Sequence, residues 1–453
     1  MKQYGLIVLA SVSLSACASL PESVTGRDAM QALSGPAEFQ AGQAQDSQIV
    51  NGLLDVFQDE TLAALVEQAL SQNLNIQLAA KQLEEAGFNA GAARSSILPQ
   101  LLGNFATSRE QGIEGKPTGT YAPSLDVSWE VDIWGGRRSQ KASLNATAQA
   151  KIENYQAARD SVAAQVMQGW FDVVTTEKQV MLAQSRLANL QKSAETGRRN
   201  YEAGLGSLDD LDAVHRDIAQ TRATLAANTN NRNTAVRTLQ ILMGQYPGDD
   251  MALGYALPTL IAPPAAGVPA DLLTRRPDLR RSWREVMAAD ELVQVAHGEM
   301  FPSLLLTGSF GTQSGAFSDL MNGATIWSLA GNLALPLFNA GRLENGMNAA
   351  QSRAEQAWIN YLQTALSAFG EVEQALNREA LLADQERHQQ KAVVHAESTM
   401  RTFEDRYKNG LVGILEYLAA QNTVFDMRSQ LLDVRNERLK NRVTLALALG
   451  KGV

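Results

Sequence analysis

The sequence predicts a mainly α-helical, internally duplicated chain that also supplies strands to a membrane β-barrel. Three observations predict it. All thirteen prolines lie outside Ser124–Tyr246 and Leu337–Val453. Proline costs about 3 kcal/mol inside a helix, so these stretches permit long helices. Next, Tyr201–Gly244 aligns without gaps on Tyr407–Gly450 at a constant offset of 206, pairing Gly204 with Gly410 and Gly244 with Gly450. Last, "YAPSLDVSWEVDIW" (Tyr121–Trp134) alternates apolar and polar residues, the period of a strand with one apolar and one polar face.

The chain opens with "MKQYGLIVLASVSLSACASLPE". Lys2 is a positive n-region, and Tyr4–Leu14 is an apolar stretch too short for a permanent bilayer span. Leu14-Ser15-Ala16-Cys17 resembles the bacterial lipobox, so residues 1–16 read as a signal peptide and Cys17 as the lipidated residue. Ala18 stands where an Asp would suggest inner-membrane retention, which favours the outer membrane. Cys17 is the only cysteine, so disulfides are excluded. Residues 17–58 form a polar leader. A formal net charge of −9 argues against a nucleic-acid partner bound through phosphate neutralisation.

Two repeats follow, 59–246 and 277–453, joined by a linker over 247–276. Six prolines between Pro247 and Pro277 predict an extended connection. A repeat of this length is a duplicated domain, not a solenoid. Each copy predicts a helix (about 59–95; 277–299), two strands (about 98–109 and 120–133; 301–313 and 324–337) and a long helix (about 137–202; 342–408). A tight turn and a second helix of about 37 residues complete it. The long helix would span on the order of 100 Å. Val166, Val173, Val180, Leu187, Ala194 and Tyr201 recur every seven residues, which predicts left-handed coiled-coil packing. Gly169, Thr176, Ala183, Leu190 and Gly197 form a second, mostly small line, so each helix is expected to have two neighbours.

Four strands cannot close a barrel alone, since closure starts at about eight. No later stretch is apolar for some 20 residues, so a span of the lipid bilayer has to be a closed barrel. Several chains must then share it, with Asp126, Glu130 and Asp132 lining water in the barrel lumen.

With these features in place the chain resembles the outer-membrane factor (outer membrane efflux protein) family, in its lipoprotein branch. The residues that carry the resemblance are the Cys17 lipobox, "LTRRPDLRRSWREVMAADELVQVAHGEMFPSLLLTGSFG" from Leu273, "PLFNAGRLENGMNAAQSRAEQA" from Pro336, and the twin turns "YEAGLGSLDDL" and "YKNGLVGILEYL". The resemblance implies a homotrimeric 12-stranded β-barrel, four strands per chain, continuous with a long α-helical barrel. It implies an outer-membrane exit duct of a tripartite efflux pump, conducting small molecules passively. The implied partners are a periplasmic adaptor (membrane fusion) protein and an inner-membrane transporter of resistance-nodulation-division type. It also implies a periplasmic gate at the helix tips, with Asp209, Asp210 and Glu416 as its acids. Gly204, Leu205 and Gly206, with Gly410, Leu411 and Val412, would be the tips that meet the adaptor. Ala419 stands where the family often has a second acid, which puts a double acidic ring in doubt. Acids in the first turn of a helix also serve as plain caps, and the two roles can coexist.

No catalytic constellation is present, so no enzyme, cofactor or metal is expected. The four histidines form no metal-ligand pattern, and "GTQSG" at Gly311 misplaces its serine for a nucleophile elbow. A type I protein-secretion duct, and a lipid-anchored periplasmic coiled-coil scaffold without a pore, remain as alternatives at this point.

Overall fold

A computed structural model describes residues 22–33, 35–41, 52–57, 59–111, 115, 117–204, 206–248, 251, 256–260 and 262–453. Cys17 and Leu205 lie outside the described residues. In chain order the regular elements are α1 (Ala29–Leu33), α2 (Glu60–Gln72), α3 (Leu74–Ser95), β1 (Gln100–Glu110), β2 (Thr118–Val131), α4 (Gly136–Glu202) and α5 (Leu208–Leu242). They continue with α6 (Pro269–Arg275), α7 (Pro277–Gly298), β3 (Ser303–Gln313), β4 (Ala324–Ala334), α8 (Arg342–Lys408) and α9 (Ile414–Ala448). The duplication reappears as length: α4 and α8 have 67 residues each, and α5 and α9 have 35 each. Even the caps repeat. Gly244 and Gly450 take φ of +72° and +71°, and the next residue's N–H returns to Gln240 O (2.8 Å) or Ala446 O (2.9 Å), a Schellman closure that glycine permits.

Three expectations are corrected. The first helix is not continuous over 59–95. It breaks at Asn73, whose backbone is extended and whose Oδ1 accepts from Asn75 N and Ile76 N (2.8 and 3.3 Å) to start α3. The same side chain donates to Leu242 O at 2.7 Å. The linker is not wholly extended, because α6 starts on Pro269 at its first turn, where the missing N–H costs nothing. The strands end earlier than expected, at Val131 and Ala334, so Ile133, Leu335 and Leu337 fall beyond them.

The chain divides into two compact units. The first comprises 81–154 and 278–364 with the leader up to Leu33. It holds one antiparallel sheet in the order β1-β2-β3-β4. β2 and β3 are joined through the rest of the chain, yet Leu125 sits opposite Phe310 and Val131 opposite Leu304. Pro123 has no N–H to give the ladder. Pairing there is interrupted and resumes at Tyr121 and Ser314, whose N–H and C=O groups exchange bonds of 2.9 and 3.0 Å. A Cβ on Gly311 would strike the Pro123 carbonyl oxygen, so only glycine fits that interruption. Below the sheet, α7 is tied to α4 by Arg280–Glu153 (2.7 Å) and by Ser143 Oγ donating to Ala288 O (2.8 Å).

The second unit comprises 34–80, 155–277 and 365–453. Its core gathers Val166, Val173, Trp170, Phe171, Leu239 and Val443, all nearly or fully buried. Phe57, just before α2, meets Phe171 edge-on at 5.1 Å. Both heptad lines of α4 are used. Val166 and Val173 are fully buried and Val180 nearly so. On the second line, a Cβ at Gly169 would sit 3.5 Å from Leu239 of α5, and one at Gly197 would sit 3.8 Å from Leu211 of α5 and 3.9 Å from Ile414 of α9, so this line faces α5 at both glycines and reaches α9 as well at Gly197. The first line fades at its end, where Tyr201 is 45% exposed. Buried Glu379 holds Arg442 Nη2 at 2.7 Å and Arg438 Nε at 3.0 Å. Glu386 links Arg438 onward to Arg435 at 2.9 Å each.

Candidate functional site

The first candidate region is the sheet. Residues paired across antiparallel strands share a face, so the register sorts every side chain. One face carries Leu101, Leu125, Val127, Leu306, Leu329 and Leu333 among other apolar residues, and its only charge is Arg109 beside the β1–β2 turn. The other carries Asn104, Asp126, Ser128, Glu130, Ser309 and Asn332, with Leu102, Leu305 and Ile326 as its large apolar members. β1 and β4 are exposed along their whole length, and each has one edge unpaired among the described residues. Aromatic groups gather at both ends of the apolar face. Phe317 meets Phe105 and Tyr121 edge-on at 6.5 and 5.9 Å. At the other end Trp134 stacks on Phe301 at 4.6 Å and donates to Pro302 O at 2.8 Å.

The three expected lumen acids differ. Asp126 lies within β2 and accepts from Ser124 Oγ at 3.0 Å. Glu130, at the end of β2, is paired with Arg137. Asp132 lies past the strand. Its carboxylate accepts from Arg137 N and Arg138 N (3.0 Å each) and Arg138 Nε (2.9 Å). It therefore starts α4, the physical reason it is a helix cap and not a strand residue. Glu130, Asp132 and Arg137 also line a crevice of about 770 Å³ that Glu299, Phe301 and Arg342 complete.

The second candidate region is the pair of helix tips in the second unit. Gly204 and Gly410 have φ of +71° and +69°, which L side chains rarely adopt. Leu411 N closes the second turn on Arg406 O at 2.8 Å. Leu411 is 73% exposed, Val412 is half-buried and Gly206 is exposed. Ser207 caps α5 through a reciprocal box: Ser207 Oγ accepts from Asp210 N at 3.1 Å and Asp210 Oδ2 accepts from Ser207 N at 3.4 Å. Asp210 is thus a capping acid as well as a candidate gate acid, while Asp209 is exposed. Glu416 occupies the same place in α9. It is exposed, and its Oε2 lies 2.9 Å from where a Cβ on Gly413 would be.

The tips of the two hairpins meet each other. Leu190, Val214, Ile218, Ile414 and Leu418 form a shared apolar cluster with Tyr407 against it. Tyr407 stacks on Tyr417 at 5.6 Å with a 10° tilt. Burial, then the negative charge of Asp210, push the Tyr407 phenol above its ordinary value against a hydrogen bond with Asn200. Above the tips, polar links recur every seven residues along α4. Asp172 meets Asn436 (2.8 Å) and Lys440 (2.5 Å), Gln179 meets Ser429 O and Asp433 (3.1 Å each), and Arg186 meets Asn422 (2.8 Å). Sequence reasoning missed the Ser207 box, although its S-x-x-D spacing signals one. It also missed the tyrosine stack and these links, which no local pattern announces. Among the described residues no helix is long and apolar enough to cross a membrane, and no three His, Cys, Asp or Glu side chains are grouped to hold a metal ion.

Comparison with known proteins agrees with this geometry. The outer membrane efflux protein family model matches residues 65–245 and 268–451. The cation efflux system protein CusC of Escherichia coli O6:H1 is 28% identical over 453 residues, covering 98% of this chain and 97% of its own. The toluene efflux pump outer membrane protein TtgF of Pseudomonas putida is 27% identical over 467 residues, covering 100% and 97%. Among solved structures, CusC superposes with a TM-score of 0.82 at 27% identity over 92% of this chain and 98% of that one. The open-state MtrE outer membrane channel of Neisseria gonorrhoeae gives 0.85 at 26% identity over 93% and 96%. The fold class is therefore that of these outer-membrane channels, helices with a membrane β-barrel, and the localisation is the outer membrane. The chain belongs to the outer membrane efflux protein family, whose members are efflux channels.

Proposed function

We propose that three copies of the chain close their sheets edge to edge into one twelve-stranded barrel, and that the resulting duct passively conducts small molecules out of the cell. The observation that carries the reading is the sheet itself: one aligned apolar face, one aligned polar face, and unpaired edges at β1 and β4. An unpaired, amphipathic edge is unstable in lipid unless another strand closes it. The apolar face meets lipid, and Asp126 and Glu130 border water. Cys17 anchors the leader to the outer membrane. Toluene and cations, the cargo in the names of two relatives, support small molecules as the transported class.

The duct's energy comes from an inner-membrane transporter reached through a periplasmic adaptor that grips the Gly204–Gly206 and Gly410–Val412 tips. The exposed Leu411 and the left-handed glycines support that role, because a bare turn lets another hairpin approach closely. The same end is the gate. Three copies of Asp209, Asp210 and Glu416 would concentrate negative potential there, drawing cations and resisting closure. Single-channel recording in a planar bilayer tests this with Glu416→Gln and Asp210→Asn, which remove charge. Wild-type openings are expected to be cation-selective, and both variants are expected to lose selectivity and open more. Unchanged selectivity in both variants would move the gate away from these acids.

A further inference from the structure

The repeats are near-copies, but the leader treats them unequally. Residues Ser23–Arg27 lie across α7 and α8 in the first unit. Asp290 on α7 receives three donors: Ser23 Oγ at 2.5 Å and Thr25 Oγ1 at 3.2 Å on Oδ2, and Val24 N at 3.2 Å on Oδ1. Glu355 on α8 is forked by Arg27, with Nη1 and Nη2 at 2.7 and 2.6 Å from its two oxygens. Charge-assisted bonds of this bidentate kind fix orientation as well as distance. Between the two clasps Val24 is 1% exposed. The alignment of Leu98 with Phe301 places Gly87 where Asp290 stands, and the offset of 206 places Gln149 where Glu355 stands. Neither can take up a leader in this way. The first repeat lacks the receptors.

α7 runs into β3 and α8 leaves β4. Trp283 meets Trp358 and Tyr361 between the same helices at 6.3 and 5.3 Å. Such apolar contacts bring helices together without setting their axial register, whereas the two carboxylate clasps set it. We propose that Ser23–Arg27 is a brace: one strap of leader fixes α7 against α8 and so holds the second β-hairpin in position for barrel closure. Docking of the strap stands on the geometry alone. Its consequence for closure rests on the reading of the sheet as one third of a barrel.

The test uses the full-length protein in membranes with Val24→Cys as a reporter, labelled by a water-soluble maleimide. Arg27→Glu or Glu355→Arg alone is expected to speed labelling at least about tenfold, as a local opening would. The same changes should lower the temperature at which the SDS-resistant trimer dissociates. The double swap should restore both. Should the charge reversals prevent assembly, Ser23→Ala with Thr25→Val weakens the Asp290 clasp alone and should shift both readouts the same way. Slow labelling in every variant would overturn docking by these clasps. Fast labelling with an unchanged dissociation temperature would overturn the brace and leave a passive tether. A barrel that is absent even in the wild type, with Val24→Cys protected, would instead count against the duct reading and leave docking intact.

Discussion

Single residues carry two sharp predictions. Gly311 sits where the β2–β3 ladder skips Pro123, and a Cβ there would meet the Pro123 carbonyl and, at 3.0 Å, Ser124 Cα. Gly308, three residues away, has nothing nearer than 3.7 Å. Gly311→Ala should deplete the heat-modifiable trimer on unheated gels, while Gly308→Ala should leave it intact; equal behaviour would contradict the register. Glu379 is the second case. Burial pushes its carboxyl up, but the hydrogen bonds and charges of Arg442 and Arg438 prevail and hold it below the ordinary 4.5. A carboxyl depressed on folding adds stability above its unfolded value, and that stability is lost as pH falls through the folded value. Unfolding temperature should therefore drop below about pH 4.5. Glu379→Gln should lower stability by about 3 kcal/mol at neutral pH, since it takes a carboxylate away from the buried Arg442 guanidinium, and should lose part of the acid dependence. No local pattern in the sequence marks Glu379, whose partners Arg438 and Arg442 lie 59 and 63 residues away.

Among the elements, the long helices were the most legible. The expected bounds of about 137–202 and 342–408 compare with Gly136–Glu202 for α4 and Arg342–Lys408 for α8, and the small line of α4 meets α5 at Gly169 and both α5 and α9 at Gly197. Gly169→Ala should be tolerated, because its Cβ would lie 3.5 Å from Leu239, in ordinary contact. Gly169→Leu should cost roughly 1–3 kcal/mol through overpacking, measured as unfolding temperature. What the periodicity could not show was where a helix pauses. Asn73 breaks the first helix because its side chain bonds both α3 and Leu242 O, a partner 169 positions on. Asp132 escaped for a related reason: alternation continues past Val131, and only the backbone N–H groups of Arg137 and Arg138 reveal the cap.

For the whole molecule, the duplication was legible from the 206-residue offset and returned as equal helix lengths and matching caps. The faces of β2 were legible from the alternation of Tyr121–Trp134, because a period of two leaves no freedom once one face is apolar, whereas the other strands are sorted by the register. The leader's attachment was not, since Asp290 and Glu355 look like any exposed acids until Ser23 and Arg27 are placed beside them. The central claim is that one sheet face meets lipid and the other lines water. Leu329→Arg should cost about 2–4 kcal/mol of barrel stability near the membrane midplane, whereas Asn332→Arg should cost little. The most direct measurement is single-channel conductance of the purified trimer carrying Ser128→Cys or Leu329→Cys, before and after a charged, water-soluble thiol reagent. The account predicts a channel whose current falls on modification of Ser128→Cys and stays unchanged for Leu329→Cys. A folded trimer without current, or block at Leu329→Cys instead of Ser128→Cys, would contradict it.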